Sequence, residues 1–308
     1  MKVLITGGAG FIGSHIVEQL VENHHEVVIV DYAILTEPKN KQVRVYRKNV
    51  CSNLHMIFKE EQPDVVIHHA AQVSVSKSMQ QPLVDGKQNI LATINLLKMC
   101  VTYGVKKVIF ASSAAVYGSG NSVLVQETDP TNPQSFYGLS KLQAEAYIRF
   151  FSEQYGLNYT IFRYANVYGP GQSIHGEAGV VAQFIHKLKT GEALHIYGDG
   201  SQTRDFVFVK DVARANVEAL TNGNNETMNI GSGRELSILS LMETIRHFGC
   251  SSMIPVFKEA RQGDIFRSSL NSDRAYERLG WQPMYAIEEG LKETIMHSEV
   301  MHRSINFV

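Results

Sequence analysis

Short apolar runs alternate with stretches of helical spacing along the first half of this chain. Val3-Leu4-Ile5 ends in Thr6 and Gly7, and Ile12 to Val21 then carry apolar residues at helical intervals. The cycle continues through Val27-Val28-Ile29-Val30, Val43 to Tyr46, Val65-Val66-Ile67 and Val108-Ile109-Phe110, with helical stretches over Leu54 to Glu60 and Ile90 to Tyr103 between them. Continuous apolar runs of this length read as strands buried on both faces, and their alternation with helices predicts a parallel sheet in an α/β fold. A helix from Tyr137 to Tyr155 and a strand from Tyr159 to Arg163 follow, and Gly169-Pro170-Gly171 then breaks the pattern. The remainder is less regular, with helical stretches over Val180 to Lys189, Asp211 to Leu220 and Ile238 to Phe248. A soft boundary after residue 168 therefore separates a nucleotide-binding unit (1–168) from a smaller lobe (169–308), and the chain is free to cross back.

At 308 residues, with 44% hydrophobic and 19% charged positions, the chain is long enough to bury a sizeable core and has the balance of a folded globular protein. Lys and Arg number 29 against 30 Asp and Glu, which leaves no global attraction for nucleic acid or an anionic membrane. Any anionic ligand must be gripped locally. The cysteines, Cys51, Cys100 and Cys250, are widely spaced and odd in number, so neither a disulfide framework nor a zinc-ligand spacing is expected, and a reducing cytoplasm fits. No run approaches the length of a membrane span.

Three places carry chemistry. Gly7, Gly10 and Gly13 leave a strand and open a helix, a context in which glycines let the chain turn tightly, let a pyrophosphate approach the backbone, and let helix pack on strand. A tight turn alone would also use glycines, but the context favours nucleotide binding. Asp31 ends the second strand, where a carboxylate can accept hydrogen bonds from an adenosine ribose and repel a 2′-phosphate; this favours NAD over NADP, although Asp31 could also cap a turn and Lys39 and Lys41 lie just beyond. Tyr137 and Lys141 stand one turn apart on a helix face, so the ammonium favours the phenolate. Such a pair is usually a solvated face, but Ser112 and Ser113 end the apolar strand before it, where ligands of open α/β sheets bind. Adjacent His24-His25 and His68-His69 lack metal-ligand spacing and are expected to be packed or solvated; no metal is expected.

These residues resemble the extended short-chain dehydrogenase/reductases, and within them the UDP-glucose (UDP-galactose) 4-epimerases and their N-acetylhexosamine-accepting relatives. The likeness runs from Met1 to about Glu293. Its motifs are Thr6-Gly7-Gly8-Ala9-Gly10-Phe11-Ile12-Gly13, His69-Ala70-Ala71-Gln72, Ser112 to Gly118, Tyr137-Gly138-Leu139-Ser140-Lys141, Arg163 to Pro170, Gly198 to Phe206 and Arg261-Gln262-Gly263-Asp264. The resemblance implies a Rossmann-type doubly wound parallel sheet with a smaller C-terminal α/β substrate-binding lobe. It also implies bound NAD, a UDP-sugar substrate and a homodimer built from the stretches Asp85 to Tyr103 and Tyr137 to Tyr155. By it, Ser113, Tyr137 and Lys141 are catalytic. Gly7, Gly10, Phe11, Ile12, Gly13, Asp31, Asn49, Val50, Ala70 and Ala71, with Tyr137 and Lys141, face the cofactor. Ser113, Asn166, Arg204, Arg261, Asp264 and Ser268 face the substrate.

The chain departs from the family where Asn49 replaces an aspartate common beside the adenine, where Gln262 replaces a proline, and where Tyr32 to Gln42 lacks the usual glycine-bearing loop. The expected reaction is NAD-dependent 4-epimerisation of a UDP-hexose through a transient 4-keto sugar. Ser268, four residues after Asp264, takes the place of a tyrosine that would fill the pocket beside the hexose C2, so N-acetylated sugars are expected to fit as well. A 4,6-dehydratase would need acids after the strand-end serine, where Ala114 and Ala115 stand. A UDP-hexuronate epimerase or decarboxylase would need a cation for the carboxylate, with His175 or Lys77 as candidates, and a catalytically silent NAD-binding regulator would not need Ser113, Tyr137 and Lys141 intact.

Overall fold

The computed structural model describes residues 1–33, 40–119, 124–174, 179–249, 254–260 and 266–305, with residues 299–305 as backbone alone. Strand β1 (Lys2–Thr6) feeds helix α1 (Phe11–Glu22), followed by β2 (Glu26–Asp31), β3 (Val43–Arg47), α2 (His55–Glu61) and β4 (Val65–His68). Next come α3 (Val75–Gln80), α4 (Pro82–Gly86), a π-helical turn (Lys87–Leu91), α5 (Ala92–Thr102), β5 (Lys107–Ser113), a 3-10 turn (Ala114–Val116), α6 (Phe136–Tyr155), β6 (Asn158–Tyr164) and β7 (Asn166–Tyr168). The rest of the chain forms α7 (Val180–Thr190), β8 (His195–Tyr197), β9 (Thr203–Arg204), β10 (Phe206–Phe208), α8 (Val209–Glu218) and β11 (Glu226–Ile230). It ends with β12 (Leu236–Ser237), α9 (Ile238–Phe248), β13 (Val256–Lys258), α10 (Asp273–Leu279) and α11 (Ile287–Ile305).

The main sheet has the order β11-β6-β5-β4-β1-β2-β3, and every pairing in it is parallel. Register sets Val3 opposite both Val27 and Val65, so apolar side chains of neighbouring strands stack in rows. Alternation within one strand builds two cores: Val3 and Ile5 join Ile16, Leu20, Val212 and Trp281 on one face, while Leu4 joins Phe58, Leu96, Leu97 and Ile148 on the other. Burial on both faces is why these strands read as unbroken apolar runs.

The sequence reversal between β1 and β4 opens a crevice at the carboxyl ends of those strands, the place where open α/β sheets bind ligands. The chain crosses back after residue 168: β11 completes the sheet beside β6, and α8 packs on α1. A third core, with Tyr168, Phe184, Ile196, Phe208, Leu241 and Leu291, holds the smaller lobe, whose strands pair only two by two. The stretch read as one helix from Ile90 to Tyr103 begins in the last residues of the π-helical turn and continues as α5, because apolar spacing does not separate these helical forms.

Candidate active site

The turn after β1 is built around three glycines, each with a different constraint. Gly7 sits at φ +75°, and a Cβ there would lie 2.7 Å from the Ala70 amide nitrogen, so β1 and the segment after β4 touch backbone to backbone. A Cβ on Gly13 would come within 2.1 Å of the Gly7 carbonyl oxygen. Gly10 differs, since its Cβ would meet only the Gly7 oxygen, at 3.2 Å. It is the N-cap of α1, with no side-chain cap and no acidic residue in the first turn of that helix. The first amides of α1, at Phe11 and Ile12, therefore lie behind a bare glycine with the positive end of the helix dipole unopposed. A pyrophosphate fits this cradle.

Asp31, 8% exposed, accepts from the Ala9 amide (3.1 Å) and the Ala33 amide (2.9 Å). The turn-capping role and the position beside the cradle thus coexist: the carboxylate braces the glycine turn while its charge stays at the end of β2. Asn49 makes a local turn, its side-chain oxygen accepting from the Cys51 amide at 2.8 Å, and Val50 is buried beside it. Ala70 donates its amide to Thr6 Oγ1 at 3.3 Å, and Ala71 follows half-buried. Lys39 lies outside the described residues.

The second cluster joins the end of β5 to the start of α6. Ser135 caps α6 by accepting from the Gly138 amide, and a Cβ at Gly138 would stand 2.4 Å from the Ala115 carbonyl oxygen, so only glycine lets the helix start this close to the turn after β5. That contact sets the start of α6, which carries Tyr137, against the turn that follows Ser113. Ser113 Oγ accepts from the Ala115 amide (3.2 Å), which leaves its own proton to donate, whereas Ser112 Oγ donates to buried Glu145 at 2.6 Å. The two adjacent serines divide into a half-buried one that caps the 3-10 turn and one anchored in the core. Lys141 is 3% exposed, donates to the Ala111 carbonyl oxygen (2.8 Å), and sets Nζ 5.9 Å from the Tyr137 ring centroid and 4.9 Å from that of Phe110. Burial pushes its pKa down to about 8, with the charges of Asp85 and Glu145 opposing the fall.

Behind this cluster His68 bridges Thr6 Oγ1 (2.7 Å) and Thr93 Oγ1 (3.0 Å), and His69 lies 3.3 Å from both Asn216 and Tyr164. Burial depresses both to about 3, so each is a neutral, packed histidine. Among the described residues no three His, Cys, Asp or Glu side chains are grouped to hold a metal, and no helix is long and apolar enough to cross a membrane.

Asn166, at the start of β7, and Arg204, at the end of β9, are brought together around Asp205. Asn166 donates both its backbone amide and Nδ2 to the Asp205 carbonyl (3.0 and 3.1 Å), and Arg204 Nη1 donates to the Thr203 carbonyl at 2.8 Å. Ser268 is half-buried in a segment fixed from both sides: the Thr203 amide donates to the Phe266 carbonyl, and the Val125 amide to that of Ser269. Arg261 and Asp264, like His175, lie outside the described residues. Sequence reading gave no role to Asp205, yet it is wholly buried and accepts from the amides of Ser232, Gly233 and Leu270 and from Ser232 Oγ. It ties the strand bearing Arg204 to the segment bearing Ser268; the only signal in the sequence was its place inside the motif Gly198 to Phe206.

Crevice, glycine cradle and tyrosine-lysine pair together define a dinucleotide-binding oxidoreductase-type fold of the doubly wound class. The family model for the NAD dependent epimerase/dehydratase family matches residues 3–231, and the chain belongs to that family and uses NAD. It is 39% identical over 305 residues to a UDP-glucose 4-epimerase of Mycolicibacterium smegmatis, covering 96% of this chain and 97% of that protein. Among solved structures it matches a Thermotoga maritima UDP-glucose 4-epimerase with UDP-glucose (TM-score 0.94, 42% identity, 98% of this chain and 100% of the other). It also matches a UDP-N-acetylglucosamine 4-epimerase of Methanobrevibacter ruminantium in complex with UDP-N-acetylmuramic acid (TM-score 0.93, 34% identity, 97% and 98%).

Proposed function

We propose that this protein interconverts the C4 epimers of UDP-hexoses, UDP-glucose with UDP-galactose and also UDP-N-acetylglucosamine with UDP-N-acetylgalactosamine. The observation that carries the reading is the buried Lys141 ammonium, 5.9 Å from the Tyr137 ring centroid and bonded to the Ala111 carbonyl on the strand that ends in Ser113, in a fold whose first helix opens behind an uncapped glycine cradle. When bound, NAD would supply the reversible acceptor for the hydride that leaves the sugar C4. Tyr137, as phenolate, takes the proton from the sugar O4 and later returns it; Ser113 donates to the same oxygen; Lys141 stabilises the phenolate. A 4-keto sugar forms and must present its opposite face before C4 is reduced. The diphosphate therefore has to stay anchored while the hexose turns, a task assigned to Arg204 and Arg261 because a guanidinium grips phosphate with planar, permanent donors. Asn166 and Asp264 are assigned to the uridine diphosphate as well.

Likeness to relatives named for UDP-glucose and UDP-N-acetylglucosamine supports both sugar pairs. Half-buried Ser268, small where a tyrosine would fill space, supports the N-acetylated pair. Dehydration is disfavoured because the turn after Ser113 presents Ala114 and Ala115, with no acid to protonate a leaving hydroxyl. A hexuronate would need a cation beside C5, and Lys77 is exposed on α3. A homodimer is part of the proposal: Leu83 on α4, Leu91 in the π-helical turn and Leu139 and Phe150 on α6 are exposed, at 88%, 56%, 42% and 56%, along the helices that would pair. The test is incubation with UDP-hexoses, UDP-N-acetylhexosamines and UDP-hexuronates, with products resolved by NMR. C4 epimers of both hexose pairs are expected, and conversion of hexuronates alone would overturn the assignment.

A further inference from the structure

Lys141 is a buried cation whose hydrogen bond goes to a neutral carbonyl, and no ion pair reaches it among the described residues. A buried ammonium without an anion loses its proton readily. On the neighbouring helix α4, which packs against α6, Asp85 presents the converse: 1% exposed, it accepts only from neutral amides, Gln72 Nε2 at 2.9 Å and Asn89 Nδ2 at 3.1 Å, and it too forms no ion pair among the described residues. The layer between these two charges is polar. Asn89 Nδ2 is also 3.0 Å from Ser140 Oγ, and Ser140 donates to the Tyr137 carbonyl at 3.0 Å, so Asp85 is bonded through Asn89 to the residue next to Lys141 and onward to the backbone of Tyr137. Asn89 lies in the π-helical turn, the one irregular stretch between α4 and α5, where such wider turns tend to mark functional positions.

We infer that Asp85 is a positioning residue that holds Lys141 in its charged form, acting across the Asn89 and Ser140 layer without touching the lysine. The inference rests on the proposed role of Lys141 beside Tyr137. The other groups facing Lys141 contribute less or nothing to this task. Glu145 on α6 is committed to Arg163 (2.7 and 3.0 Å), Arg149 (3.3 Å) and Ser112, which neutralise it in place. His68 and His69 are neutral, and Lys77 on α3 and Lys87 in the π-helical turn are exposed cations. Asp85 thus supplies negative charge in a low-dielectric interior, where it acts over a distance that water would screen. The charged form of Lys141 is favoured first by Asp85 and then by Glu145.

Two readouts on the NAD-loaded protein test this. The pH dependence of the Lys141 Cε chemical shift, followed by NMR in protein carrying ¹³C-labelled lysine, gives the titration midpoint of Lys141 without turnover, and the alkaline limb of the kcat profile gives it during turnover. Asp85→Asn and Asp85→Ser, which remove the charge, are expected to lower both by about one pH unit, whereas Asp85→Glu leaves them within about 0.3. A midpoint in either neutral variant that coincides with the parent's overturns the inference. Should neither neutral variant fold, Asp85→Glu decides: a midpoint close to the parent's supports it, and a fall of about a full unit overturns it. A parent that epimerises no UDP-hexose refutes the functional reading separately, because the NMR titration still judges Asp85.

Discussion

Gly10→Ala separates a glycine kept for a ligand from one kept for the fold. The backbone at Gly10 is extended, φ −77° and ψ 176°, a conformation alanine adopts freely, and the added Cβ would meet only the Gly7 carbonyl oxygen at 3.2 Å. Alanine is a poorer N-cap than glycine, which costs about 0.5–1 kcal/mol, but it also reduces the freedom of the unfolded chain by about 0.4–1 kcal/mol. The two effects nearly cancel, so the thermal midpoint should move by only a few degrees. The same methyl group occupies the open side of the cradle, where a pyrophosphate must approach the first amides of α1. Crowding of that kind costs about 1–3 kcal/mol, equivalent to roughly 5- to 150-fold weaker NAD binding. Gly13→Ala is the contrast: its Cβ would stand 2.1 Å from the Gly7 carbonyl oxygen and 2.9 Å from the Gly8 Cα, so the turn itself must shift and stability should fall by several degrees or more. Calorimetric titration of cofactor-free protein, paired with thermal melts, reads both variants. Gly10→Ala binding NAD within about twofold of the parent would refute the assignment of the cradle.

Tyr137→Phe should keep the thermal midpoint and NAD affinity while kcat falls about 10²- to 10⁴-fold, since only the proton-transferring hydroxyl is removed; near-normal turnover would exclude the tyrosine. Asp31→Ala should narrow the preference for NAD over NADP, measured by titration, and should also lower the melting temperature because the Ala9 and Ala33 amides lose their acceptor; equal affinity for both cofactors in the parent would refute the role. Ser268→Tyr should reduce turnover of the N-acetylated pair at least about tenfold while sparing the plain hexoses, and equal loss on both would defeat the volume argument. His68 and His69 have folded pKa values near 3, below the ordinary 6.5, so the unfolded chain binds protons first; stability present above about pH 6.5 should be lost as pH falls towards 3, by up to about 1.4 kcal/mol per pH unit for each histidine. Denaturant melts between pH 7 and 5 should show that slope, reduced in His68→Gln, and an equal slope in the variant would argue against it.

The sheet was legible because its first strands are buried on both faces: nothing polar interrupts Val27 to Val30 or Val65 to Ile67. Strand β11, Glu226-Thr227-Met228-Asn229-Ile230, was not, since its polar positions are satisfied by tertiary partners, with Glu127 accepting from the Asn229 amide and Asn229 itself bonded to Tyr117 and Val125. The glycine turn and the tyrosine-lysine spacing could be read locally, because their geometry depends on sequence neighbours. Asp205 and Asp85 could not. An acid between Arg204 and Phe206 looks like an ordinary surface charge until the fold brings Gly233 and Leu270 to it, and Asp85 acquires meaning only when α4 lies against α6.

The account turns on one event, removal of hydrogen from C4 and its return to the opposite face of the same carbon. UDP-glucose carrying deuterium at C4, incubated with NAD-loaded protein in ordinary water, tests it directly by NMR and mass spectrometry of the product. The account predicts UDP-galactose that keeps its deuterium at C4 and takes up no hydrogen from solvent at any carbon. Loss of the label to water, or inversion with solvent hydrogen at C4 or C5, would contradict it.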